Sequence, residues 1–275
     1  MQTKFFRRKM SINYGKIKKY ISAPRLQTYE IVCSNNTQRA LKAYQTNIRL
    51  SQAFYPLLTM VEVVLRNAIN EELTDHFSDA NWLINQQTGF MVDPSLTTID
   101  RRTNQLRHNH YLKISVEKSI RKIRIGCTQG KIISTLEFGF WTAFFDNYHY
   151  RILSGSPIRI FSRLPSGTNR AVVFDKLTRI RDFRNRVYHN EPIIFDKNNA
   201  GTPYYSLDKA NEIYQDIEDI FTWLNLDFVK WTKKIDNVPF ELKRTYYVIN
   251  HYPSRKYYYF RVKLGISHYK KKYIN

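Results

Sequence analysis

Along LSQAFYPLLTMVEVVLRNAINEELTDHF, apolar side chains fall at Phe54, Leu57, Leu58, Val61, Val64, Leu65, Ala68, Ile69 and Leu73. Steps of three and four keep one helix face apolar, so the spacing predicts a long helix over Thr37 to Phe77 with a wide buried stripe. Pro56 is expected to kink this helix or to mark a start. Ser78 to Thr98 reads as loop or short helix, with Asp93-Pro94-Ser95 as a turn and cap signal. Ile99 to Lys122 is more polar. Its Leu106, Leu112, Ile114, Val116 and Ile120 fit one helix face or two short helices. Lys131 to Leu153 predicts a third apolar helical stretch, broken by Ser154-Gly155-Ser156-Pro157. Asn169 to His189 is again helical, with Val172, Val173, Leu177, Ile180, Phe183 and Val187 inward, and Glu191-Pro192 ends it. Lys197 to Pro203 reads as a loop. Leu207 to Leu226 resumes a helix through Ala210, Ile213, Tyr214, Ile217, Ile220, Phe221 and Leu224. After Val238-Pro239 the pattern shifts. TYYVIN and KYYYFRVKLGI are rich in Tyr, Val and Ile, which favours strands. The expected fold is mainly α, with a small C-terminal β-rich extension.

Composition agrees with a packed core: 43% of the 275 residues are apolar and 15% aromatic. The longest apolar runs, TMVEVVL and FGFWTAFF, are short and interrupted, so no membrane span is expected. MQTKFFRRKM carries charge with no apolar stretch after it and does not read as a signal peptide, which makes a cytoplasmic location the expectation. Cys33 and Cys127 stand far apart and form neither a zinc pattern nor a disulfide framework.

Charge changes the picture most. The formal net charge is +21. Residues 1–29 hold eight Lys or Arg and no acid, and residues 242–275 hold nine and no acid. These 17 charges leave the span 30–241 with 27 basic against 23 acidic residues, a net of +4. The expected organisation is a basic N-terminal arm (1–30), a helical domain (31–235) and a basic, Tyr-rich C-terminal extension (236–275). Ends of this kind favour polyanions through phosphate contacts and counterion release. Solubility alone explains them less well, since mixed charge would serve it, and neither end shows the clean basic amphipathic helix of a membrane-surface segment. The candidate RNA-binding residues are Arg7, Arg8, Lys9, Lys18, Lys19, Arg255, Lys256, Tyr258, Arg261, Lys270, Lys271 and Lys272. In the tail, rings alternate with cations. Tyr side chains there can stack on unpaired bases or pack on the helical core.

The segment RDFRNRVYHNEPI concentrates proton-handling chemistry. On a helix, Arg181, Asn185 and His189 share one stripe, and Arg184 with Tyr188 forms its neighbour. A guanidinium, an amide and an imidazole then surround one patch at a helix end. That set suits RNA cleavage: a neutral histidine removes the 2′-hydroxyl proton, and an arginine fork holds the charge gathering on the phosphate. The nucleophile belongs to the substrate, so neither a metal nor a cofactor is called for. The competing reading is a solvated helix face. His108 and His110 lack an acid or cysteine at metal spacing and read as surface or loop histidines.

RNRVYH resembles the R-x4–6-H signature of HEPN-family ribonucleases, in which a polar residue, here Asn185, commonly follows the arginine. LTMVEVVLRNAINEEL…DHFSDANWL, EFGFWTAFF and RDFRNRVYHNEPI, in that order over roughly residues 38 to 225, resemble the three blocks of Abi-like (abortive infection, AbiD/AbiF-type) proteins of the HEPN superfamily. The resemblance implies a HEPN-type helical bundle, an anti-phage defence role, metal-independent RNA cleavage and a homodimer that pairs two such motifs. It implies Arg184 as phosphate binder, Asn185 as orienting residue and His189 as base or acid. Glu62, Arg66 and Asn67 match the first block. Glu62 and Arg66, one turn apart, can pair either as a structural ion pair or as site support, a role also open to Arg181 and Tyr188. Val187-Tyr188 departs from the Cys-Ala or Ala usual before the histidine. The alternative is a non-catalytic RNA-binding protein in stable complex with a non-coding RNA.

Overall fold

The computed structural model describes residues 12–100 and 102–254. It is mainly helical. The helices are α1 (Tyr14–Ile21), α2 (Ala23–Val32), α3 (Thr37–Phe77), α4 (Trp82–Asn85), α5 (Tyr111–Ile123), α6 (Gln129–Thr135), α7 (Phe138–Thr142), α8 (Asn147–Ile152), α9 (Arg170–Tyr188), α10 (Asp208–Leu224), α11 (Leu226–Thr232) and α12 (Val238–His251). Two short antiparallel hairpins accompany them, β1 (Thr97–Ile99) with β2 (Leu106–His108), and β3 (Phe195–Lys197) with β4 (Pro203–Tyr205).

The chain forms two compact units. Among the described residues, one comprises 12–52, Asn190–Ala210 and 238–254; the other comprises Ala53–His189 and Asn211–Asn237. In the first, Asn13 caps α1 by accepting from the Lys16 N–H, and Pro24 fits the first turn of α2, where its missing N–H costs nothing. Leu26 and Tyr29 of α2 are fully buried, and Tyr29 packs edge-on against Phe195. The Asn47 amide accepts from the Ile193 N–H at 2.7 Å and donates to the Glu191 carbonyl at 3.2 Å, pinning that loop to α3. Tyr14–Ile21 and Ala23–Val32 are therefore helical, and this part of the expected arm belongs to a folded unit.

The second unit carries the apolar stripe of α3. Phe54, Leu57, Val61, Leu65, Ile69 and Leu73 are all fully buried. Length and composition would let α3 cross a bilayer, but these residues are spent on the protein's own core. An aromatic cluster of Trp82, Phe90, Phe140, Trp141 and Phe144 fills the rest. Helix α9 starts where the Asn169 side chain accepts from the Ala171 and Val172 N–H groups. It buries Val173, Leu177, Ile180, Phe183 and Val187 at helical spacing, and Phe183 meets Phe54 ring to ring.

Four sequence expectations are corrected. TYYVIN is not a strand but lies within α12, where Val238, Glu241, Leu242, Thr245 and Val248 are buried with helical period. Burial at a 3.6-residue repeat outweighs the β preference of Tyr and Val. Ile99 and Leu106 belong to the first hairpin and are exposed, so the helix begins only at Tyr111. Lys131 to Leu153 is three short helices rather than one. Its Phe and Trp residues are buried on every side, so no single stripe holds a continuous helix together. Val172, expected inward, is 40% exposed. Pro56 sits inside α3, which continues through it. KYYYFRVKLGI, Arg7, Arg8, Lys9, Arg255, Lys256, Tyr258, Arg261 and Lys270–Lys272 lie outside the described residues.

Candidate active site on helix α9

Arg184 is the best-held side chain of the polar segment. Its Nη2 donates to Glu62 Oε2 at 2.8 Å, and its guanidinium lies over the Tyr188 ring, 4.2 Å from the centroid. Its Nη1 reaches Asn185 Oδ1 at 3.5 Å, the outer limit of a hydrogen bond. The Tyr188 ring in turn stacks on Tyr55 at 5.1 Å, and its hydroxyl lies 3.2 Å from Thr59 Oγ1. The ion pair is largely out of water, with the Arg184 and Glu62 side chains 23% and 17% exposed. Arg184 Nε is buried without a hydrogen-bond partner among the described residues. Arg184 is thus held by one acid, one ring face and a long contact to Asn185, with its Nε enclosed and unspent.

The other members of the segment fall around it. Arg181 donates to Asp182 Oδ1 at 3.2 Å and reaches Thr142 Oγ1 at 3.5 Å. A Cβ on Gly139 would stand 3.0 Å from the Tyr111 hydroxyl and 3.8 Å from Arg181 Cδ, so the bare backbone at 139 lets both side chains approach. Asn185 and His189 are exposed. His189 is the C-cap of α9, and its backbone N–H still donates to the Asn185 carbonyl at 3.0 Å. The stripe of Arg181, Asn185 and His189 thus keeps helical register to its end. The chain then leaves through Asn190 at φ 52°, a left-handed conformation that Asn tolerates at a helix terminus.

The structure brings residues of all three sequence blocks to α9: Glu62 from the first meets Arg184, and Gly139 and Thr142 from the second meet Arg181. One pairing is corrected. Glu62 bonds Arg184 rather than Arg66, because the partner across the helix interface supplies a better-placed fork than the neighbour one turn along. Arg66 Nε is buried and unbonded among the described residues. Asn67 is exposed, while Asn70 does the structural work of that turn, accepting from Trp82 Nε1 at 3.1 Å and Gln129 Nε2 at 3.2 Å.

Sequence reasoning missed Tyr55 and Thr59. A signal for them exists: Tyr55, Thr59, Glu62 and Arg66 recur at steps of four, three and four, which traces a polar stripe beside the apolar one on α3. Of the candidate RNA-binding residues, Lys18 is paired with Glu30 at 2.7 Å, and Lys19 is exposed. Among the described residues no group of three or more His, Cys, Asp or Glu side chains could hold a metal ion. His108 and His110 stack ring on ring at 5.7 Å. Family models, curated proteins and solved structures give no match to this chain.

Proposed function

We propose that the protein is a metal-independent endoribonuclease of HEPN type, acting in the cytoplasm as a bacterial anti-phage (abortive infection) effector on an RNA substrate. The observation that carries this reading is Arg184, a part-buried guanidinium five residues before the exposed His189 at the same helix end. In the reaction, His189 removes the proton of a ribose 2′-hydroxyl, and that oxygen attacks the adjacent phosphorus. Arg184 and Asn185 hold the phosphate oxygens as charge gathers there. The P–O5′ bond breaks, leaving a 2′,3′-cyclic phosphate and a 5′-hydroxyl. The 5′-oxygen needs a proton, which the His189 of a second protomer supplies in a homodimer.

The Glu62 pair favours a second reading. An arginine already neutralised by a carboxylate is a poorer catalyst than a free one, and Arg184 could serve as a phosphate grip in a protein that holds a non-coding RNA without cutting it. One experiment separates the two. Wild type and His189→Ala are purified without nuclease treatment, and co-purifying RNA and its ends are sequenced. Discrete fragments with 2′,3′-cyclic phosphate ends in wild type alone support the nuclease. The same intact RNA with both proteins supports the binding reading.

A further inference from the structure

A cleft of about 190 Å³ opens between α5 and the α6–α7 corner, lined by Tyr111, Ser115, Lys118, Ser119, Lys122, Thr135, Glu137 and Phe140. Ser115, Lys118, Ser119 and Lys122 stand at i, i+3, i+4 and i+7 of α5, so one helix face presents two hydroxyls and two ammonium groups together. Among the described residues neither lysine makes an ion pair or hydrogen bond, whereas Lys113 on the neighbouring face is paired with Glu117. Ser119 is only 6% exposed as a residue, yet its hydroxyl is not closed off from solvent. A hydroxyl that lines a cleft and still meets solvent can turn its proton toward an incoming acceptor. Glu137 is the single acid at the rim, against two cations.

The cleft also adjoins the catalytic helix. Tyr111 closes one end of it, and the Tyr111 hydroxyl and Arg181 Cδ approach the same point above Gly139. Burial holds the Tyr111 phenol above its usual range, with Glu137 adding to this and the Ser115 hydroxyl and Arg181 opposing it. We propose that this cleft is a phosphate-binding subsite, in which Lys118 and Lys122 neutralise a phosphoryl group and the Ser119 hydroxyl donates to one of its oxygens. The phosphate comes either from the RNA backbone, continuing the track past Arg181, or from a free nucleotide. The first source rests on the proposed function; the second does not.

The test uses the full chain and two probes: a 2′-O-methyl oligoribonucleotide, which 2′-hydroxyl attack cannot cleave, and adenosine monophosphate followed by phosphorus NMR. The variants are Lys118→Gln/Lys122→Gln, Ser119→Val, and Lys230→Gln/Lys234→Gln as a charge-matched control. An RNA source predicts about tenfold weaker oligonucleotide binding for the first two variants. For the lysine pair it also predicts that the slope of log affinity against log salt falls by about 0.7 to 1.4, the loss of one or two charged phosphate contacts on a single strand, whereas Ser119→Val leaves the slope unchanged. A free-nucleotide source predicts lost monophosphate line broadening with oligonucleotide binding unchanged. The proposal is overturned if both probes bind the cleft variants as they bind wild type, or if the control loses as much as the lysine pair. Should Ser119→Val fail to fold, the two exposed lysines carry the test alone. Because cleavage plays no part, a His189→Ala protein that still cuts RNA would sink the nuclease while leaving the subsite intact.

Discussion

Helix α9 carries two arginine clusters that look alike in sequence and differ in structure. Near its N-terminal half, Lys176 and Arg179 converge on Asp216, which is 2% exposed. Lys176 Nζ donates to Asp216 at 2.6 Å and Asp219 at 2.9 Å, and Arg179 makes a two-pronged bond to Asp216 at 2.8 and 3.0 Å. Near the C-terminal end, Arg184 has one carboxylate, one ring and an unbonded Nε. The first cluster sets three acids, Asp216, Asp219 and Glu212, around two cations and satisfies them. The second leaves the Arg184 Nε unspent, near the helix end that His189 caps. A satisfied buried network holds a fold together, and an unsatisfied one is where a ligand belongs.

The largest effect should come from cutting the satisfied cluster. Asp216→Ala removes the buried carboxylate that both cations share, leaving Lys176 with Asp219 and Arg179 with Glu212, and should cost about 3 kcal/mol in urea unfolding, with the polar stripe at the other end unaltered. The same cluster sets an alkaline limb. Burial, the largest single influence, pulls the Lys176 pKa down, but the hydrogen bonds and charges of Asp216 and Asp219 together hold it above its ordinary value. A raised folded-state pKa means the folded protein holds the proton more tightly. That stability is fully present below the ordinary lysine range, near 10.4, and is lost as pH climbs through the folded value. Unfolding midpoints of wild type should therefore decline above about pH 10, and Asp216→Asn should flatten that decline.

Next in size, Glu62→Gln should free Arg184 at a stability cost of about 1 kcal/mol, since the pair keeps some contact with water. RNA affinity should rise several-fold, because a phosphate no longer competes with a carboxylate. Filter binding reads this, and weaker binding would assign Glu62 to holding the arginine in place. Tyr188→Leu removes the ring beneath the guanidinium and should cost about 0.5–1 kcal/mol, with little change in affinity beyond a looser Arg184.

Much of the helical frame was legible because burial repeats with the helix period. Helix α3 carries that signal over Thr37–Phe77, and α9 over Val173 to Val187. What periodicity could not reveal is which polar residues meet across helices. Glu62 lies 122 positions from Arg184, and nothing local distinguishes an acid that pairs with Arg66 from one that pairs across the interface. The short hairpin at Thr97–His108 was hidden for a different reason: its apolar side chains point into water, so they carry no packing pattern. Residues 138–145 misled because a segment buried on all sides looks like a continuous helix whether or not one forms.

The most direct measurement is cleavage of single-stranded RNA in chelator by wild type and Arg184→Ala, with urea unfolding of the same two preparations. The account predicts a loss of at least about a hundredfold in cleavage with stability changed by no more than about 1 kcal/mol, since Arg184 is held by one partly hydrated pair. Equal cleavage by the two proteins, or a loss that tracks unfolding, would place Arg184 with Arg179 among the structural cations and contradict the site.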